Sequence, residues 1–142
     1  MRDITDPKHK DYVKQVTPNP NEIQAIKRDS LERFDMFWKQ KDTKNMAKYV
    51  FENLYEALRE LPECITLNEG LKIYAHDLVI SHLKRGNHLS EEDAEAFDSI
   101  RRMRNQSKYY GKDISFEKLQ ETLDDFRRLK QALERLLIKT TQ

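Results

Sequence analysis

Cysteine, glycine and proline are all scarce in this chain, and each scarcity removes a class of structure. A single cysteine, Cys64, has no partner for an internal disulfide and cannot make a cysteine-rich zinc site, so it is predicted to be a small core residue. Three glycines and four prolines in 142 residues leave few places where a helix has to stop. No apolar run approaches the roughly 20 residues of a membrane span, and no signal-like apolar segment follows Met1-Arg2-Asp3. A soluble, cytoplasmic protein without membrane contact is expected. An excess of either charge is also missing: 26 Lys and Arg stand against 25 Asp and Glu, a net charge of +1. Wholesale coating of nucleic acid is thereby excluded, and any such contact has to come from a local patch. The chain has no glycine-rich phosphate loop and no His, Cys or carboxylate cluster at metal-ligand spacing, so neither a cofactor nor a metal is expected.

What is present, 36% charged and 37% apolar residues, makes helices with one buried stripe and a solvated outer face. The length fits one domain. Residues 1–18 mix charge with Pro7 and Pro18 and carry no sustained period. They are predicted as an arm with one short helical turn around Tyr12 and Val16, ahead of a bundle over residues 19–142. Asn19-Pro20-Asn21-Glu22 combines a capping side chain, a proline suited to the first turn and an acid that reaches back. The first helix follows, with Ile23, Ile26, Ser30, Leu31, Phe34, Phe37 and Trp38 on one face, to about Lys41. Thr43 is predicted to cap a second helix that kinks at Pro62 and stops at Gly70. A third runs from His76 or Asp77 to Lys84 and is ended by Gly86-Asn87. Ser90-Glu91-Glu92-Asp93 is a capping-box pattern for a fourth, which Gly111 closes, and a fifth runs from Phe116 to about Ile138. No strand pattern is visible. The fold class is therefore all-α, an antiparallel bundle of four or five helices centred on Leu54, Leu58, Phe97, Ile100, Leu119, Leu123 and Phe126.

One stretch departs from the even charge balance. From Arg101 to Lys112 five basic residues fall in twelve with no acid among them, which concentrates positive potential at the end of the fourth helix. Arg104 also falls at helical spacing from Phe97 and Ile100, on or beside the apolar seam. A guanidinium there needs an acceptor supplied from elsewhere, because an unpaired buried charge is costly.

The octapeptide Arg104-Asn105-Gln106-Ser107-Lys108-Tyr109-Tyr110-Gly111 does not stand alone. Together with the long second helix, Tyr74-Ala75-His76-Asp77 at the head of a short helix, Leu89-Ser90-Glu91-Glu92 and a leucine-rich last helix, it resembles the HEPN superfamily. These are small helical bundles associated with nucleotide and RNA chemistry, and the likeness runs from about Lys44 to Leu137. The resemblance implies an HEPN-like fold and a homodimer whose helices bring two copies of the motif together in a cleft. It also implies a frequent partner, a minimal nucleotidyltransferase acting as antitoxin in a toxin–antitoxin pair. Many members are metal-independent endoribonucleases that use an Arg, four intervening residues and a His. Arg104 matches the Arg and Asn105 the polar residue that follows it, whereas Tyr109 occupies the His position.

Cleavage of RNA needs a base for the ribose 2′-hydroxyl and a cation for the charge developing on the phosphoryl group. Arg104 suits the second task. A tyrosine hydroxyl with the ordinary pKa of about 10 is only about 0.1% ionised at neutral pH, roughly three decades behind an imidazole as a base. Five residues also advance an ideal helix by about 500°, which leaves Arg104 and Tyr109 about 140° apart. They are expected to meet only if the helix unwinds before Gly111 or across a dimer axis. Asn105 and Tyr109 share a face.

Candidate catalytic residues are thus Arg104, Asn105 and Tyr109. Arg101 and Lys108 are candidates for phosphate, Tyr110 for base stacking, and His76 for a contact folded back from the third helix, though a histidine at that place also serves as a cap. Two functions of different class stay open. One is an HEPN-like protein that binds RNA or nucleotide and cleaves RNA slowly without a metal. The alternative is a non-catalytic helical dimer that docks a nucleotidyltransferase or another protein.

Overall fold

A computed structural model describes the chain from residue 3 to residue 140, with side chains as far as Ile138. Five α-helices form the bundle: α1 (Pro20–Trp38), α2 (Ala47–Asn68), α3 (His76–Arg85), α4 (Glu91–Tyr110) and α5 (Phe116–Thr140). Their ends are fixed by local chemistry. The Asn19 side chain accepts the Glu22 N–H with Pro20 in the first turn, and Ser90 Oγ accepts the Asp93 N–H in the same way. Gly111, at φ 67°, takes the left-handed conformation that closes α4. Thr43 does not cap α2 with its side chain. A 3-10 turn over Lys44–Met46 intervenes, and the α-helix starts at Ala47. The helix then runs through the buried Pro62 to Asn68.

α2 is the central element, packed against α1 on one side and α5 on another. Val50, Phe51, Leu54, Leu58, Leu61 and Ile65 are fully buried along it, and Phe51 meets Phe126 of α5 edge to face at 5.4 Å. Burying each such side chain stabilises the fold by about 1.5–3 kcal/mol. Phe97, Ile100, Leu119 and Phe126 join this core as the helical period predicts, while Leu123 lies only partly covered at its edge. Cys64 is buried among them, where burial pushes its thiol up to about 12.

The arm is where the structure departs most from the sequence prediction. A 3-10 turn over Pro7–Tyr12, capped by Asp6, leads into strand β1 (Val13–Gln15), which pairs antiparallel with β2 (Leu71–Ile73) between α2 and α3. The register sets Val13 opposite Ile73, Lys14 opposite Lys72 and Gln15 opposite Leu71. Tyr74 N–H to Tyr12 O (2.8 Å) and Val16 N–H to Gly70 O (3.0 Å) lengthen the ribbon at both ends. Gly70 is required there: its φ is 83°, and a Cβ would meet the Val16 carbonyl at 3.3 Å. Arg85 of α3 ties down the front of the arm through Asp3 at 2.8 Å. Among the described residues no helix is long and apolar enough to cross a membrane.

Candidate functional site

α2, β2, the head of α3 and the last turns of α4 enclose an open cleft of about 620 Å³. From α4 come Arg101, Arg104, Asn105 and Tyr109; from α2, Tyr55, Arg59 and Glu63; from the ribbon and α3, Lys72, Tyr74, His76 and Asp77. Five of the sequence-predicted site residues, Arg101, Arg104, Asn105, Tyr109 and His76, therefore share one cleft. Lys108 and Tyr110 do not line it. Lys108 Nζ sits 5.6 Å from the Tyr109 ring, and Tyr110 is 77% exposed.

Arg104 is the best-fixed side chain of the group. Its guanidinium donates to Glu56 Oε1 at 2.6 Å and to Asn105 Oδ1 at 3.3 Å, and lies 5.2 Å from the Tyr55 ring and 5.9 Å from the Tyr109 ring. Only 14% of the side chain is exposed. Glu56 supplies the acceptor that a guanidinium on an apolar seam requires. Its second oxygen takes Arg59 at 3.0 Å, so one carboxylate orients two guanidiniums. Arg104 and Tyr109 meet although α4 stays helical to Tyr110. Side-chain length closes the angular gap, and no unwinding is needed.

His76 is set into the wall. Its Nδ1 is hydrogen-bonded to the Tyr55 hydroxyl, and its ring packs edge-on against Tyr55 and Phe97 at 5.5 and 4.9 Å. Nε2 is shielded from solvent and has no hydrogen-bond partner among the described residues. Burial first, then the guanidiniums of Arg59, Arg101 and Arg104, hold its pKa down to about 3, so the imidazole is neutral at pH 7. Tyr55 is pushed the other way by burial and stays a neutral hydroxyl. In this arrangement His76 braces Tyr55, on which Arg104 rests.

The run from Arg101 to Lys112 is acid-free in sequence but not in space. Asp98 takes Arg101 at 2.9 Å and Arg102 at 3.4 Å, and Glu56 takes Arg104. Asp98 was detectable by its i,i+3 and i,i+4 spacing to the two arginines, and Glu56 with Arg59 by the same i,i+3 rule. The opposing wall of Lys72 and Tyr74 left a weaker signal, the apolar–polar alternation of Leu71-Lys72-Ile73-Tyr74, too short to establish a strand.

The cleft thus presents four cations, Arg59, Lys72, Arg101 and Arg104, and two carboxylates, Glu63 and Asp77. A guanidinium offers five N–H donors, and acid partners that occupy only some of them fix its direction while leaving others for an anion. Tyr74 and Tyr109, 58% and 64% exposed, give flat rings on the same walls. Glu63 and Asp77 are suited to accept from hydroxyls or amines of a ligand. Among the described residues no group of three or more His, Cys, Asp and Glu is arranged to hold a metal ion. Compared with models of protein families and with curated proteins, the chain matches none.

Proposed function

We propose that the cleft binds the phosphate and base of an RNA segment or nucleotide, and that the protein is an HEPN-like, metal-independent endoribonuclease of low rate. The observation that carries this is Arg104, oriented by Glu56 and Asn105 against Tyr109, in a cleft that also holds Arg101, Arg59 and two exposed tyrosine rings. Arg104 stabilises the charge that develops on the phosphoryl group, and the prior orientation of its guanidinium avoids reorganisation during the reaction. The Tyr109 hydroxyl is the group beside it that faces the ribose. It is a poor base, and the rate is low for that reason. In a toxin–antitoxin pair the partner is a minimal nucleotidyltransferase, and the working unit is a homodimer.

The test is incubation of the purified protein with RNA in chelator. Wild type cleaves slowly, Arg104→Ala loses binding and cleavage together, and Tyr109→His cleaves faster with the fold unchanged. Identical behaviour of the three proteins overturns the proposal.

One observation favours the alternative of a non-catalytic docking dimer. Three of the five cations in the run are already balanced by Asp98 and Glu56, and Tyr110 carries an exposed ring outside the cleft lining, as an aromatic that meets a protein partner does. In that case no variant cleaves RNA, light scattering still gives a dimer, and Tyr110→Ala releases the partner.

A further inference from the structure

The arm adds to the cleft a surface that neither the charge run nor the motif around Arg104 includes. Lys14 and Lys72 are directly opposed in the β1–β2 register, which puts both side chains on one face of the ribbon. Like charges in that position destabilise a strand pair, and strands of three residues have little pairing to spare. Neither lysine forms an ion pair among the described residues. Phosphates bound at the two ammonium groups remove the conflict. Tyr74 lies on the same face, with Lys72 Nζ 5.8 Å from its ring, and Tyr12 sits across from it, its carbonyl bonded to the Tyr74 N–H. The two rings are 58% and 43% exposed. Lys72 and Tyr74 also line the cleft of Arg104, so ribbon and cleft are continuous.

Cations alternating with exposed aromatic rings form the surface that an unpaired strand of nucleic acid uses, its phosphates meeting the cations and its bases stacking on the rings. A duplex keeps its bases inside and leaves the rings unused. We propose that the ribbon face of Lys14, Lys72, Tyr74 and Tyr12 is a second binding site, which carries the neighbouring nucleotides of a single-stranded RNA held in the cleft. The inference rests on the reading of the cleft as an RNA site. It gives the arm a function: Lys14 and Tyr12 lie outside the cleft, and they contact only a ligand longer than one nucleotide.

The test compares uridine 5′-monophosphate with an oligouridylate of about eight nucleotides, within the site size of single-strand binders. The oligomer is 2′-O-methylated so that it cannot be cleaved. Tyr12→Ala and Lys14→Ala each weaken the oligomer by about tenfold, the effect of one stacked base or one phosphate contact, and leave mononucleotide affinity at the wild-type value. Tyr12→Phe restores binding, since stacking does not need the hydroxyl. Lys14 is exposed, so Lys14→Ala decides the matter if Tyr12→Ala melts earlier. Ribbon variants that bind the oligomer like wild type, while Arg104→Ala loses it, overturn the second site and leave the cleft standing. Ribbon variants that lose the oligomer while Arg104→Ala binds both ligands support the ribbon and overturn the cleft. A wild-type protein that binds neither ligand overturns both.

Discussion

Arg104 lies on the apolar stripe of α4 with little of its side chain exposed, and Glu56 on the facing helix settles which way it points. The same cluster of guanidiniums acts on His76, with consequences for stability. In the unfolded chain His76 titrates near 6.5; in the fold, burial and then Arg59, Arg101 and Arg104 hold it to about 3, against a smaller opposing pull from Asp77. Between these two values the unfolded chain binds the extra proton and the folded chain does not. Stability is therefore undiminished above about pH 6.5 and falls as pH drops towards 3, with a loss of ~2 kcal/mol by pH 5 from this residue. Urea unfolding at pH 7 and pH 5 measures it. Wild type is expected to lose about 2 kcal/mol more than His76→Phe, which has nothing to titrate at that position. Equal losses in the two proteins count against a buried neutral imidazole.

The elements differ in how far the sequence announces them. Asn19, Ser90 and Gly111 act within one turn of their own helix, so residue type and spacing were enough to place those ends. Thr43 had the right type and the wrong outcome, because a 3-10 turn takes up the residues it was expected to cap. The ribbon was not legible: its strands have three residues each, and their partners lie on the far side of α1 and α2 in sequence. The site was partly legible. The α4 contribution could be placed from helical spacing and from the HEPN resemblance, but Arg59, Lys72 and Tyr74 reach the cleft, and Glu56 reaches Arg104, only through packing. Gly111 gives a clean test of an element end. Its φ is 67° and, beyond its chain neighbours, no atom of the described residues would lie within 4 Å of a Cβ there, so substitution is opposed by the backbone conformation alone. Gly111→Ala is expected to destabilise by about 1–2 kcal/mol in thermal or urea unfolding, the cost of a left-handed L-residue. A neutral effect shows that α4 ends in another conformation.

At the scale of the whole molecule the net charge is +1, and the proposed RNA binding turns on how many cations are still available to phosphate. If the five basic residues of the run each neutralised one phosphate, the slope of log K against log salt for a single strand would be about −3.5, and raising salt from 50 to 200 mM would weaken binding by more than about a hundredfold. The ion pairs argue for fewer. Arg101, Arg102 and Arg104 already have carboxylates at 2.6–3.4 Å, and a cation that already has a carboxylate partner releases fewer counterions when phosphate arrives. One phosphate in the cleft and one each at Lys14 and Lys72 make about three, with a slope near −2 and a loss of about twentyfold over the same range. Titrating the oligouridylate at several salt concentrations separates the two values. A slope near −2 that becomes shallower by about 0.7 in Lys14→Ala fits an RNA track running from cleft to ribbon, whereas a slope near −3.5 that Lys14→Ala leaves unchanged moves the binding surface back to the outer face of α4.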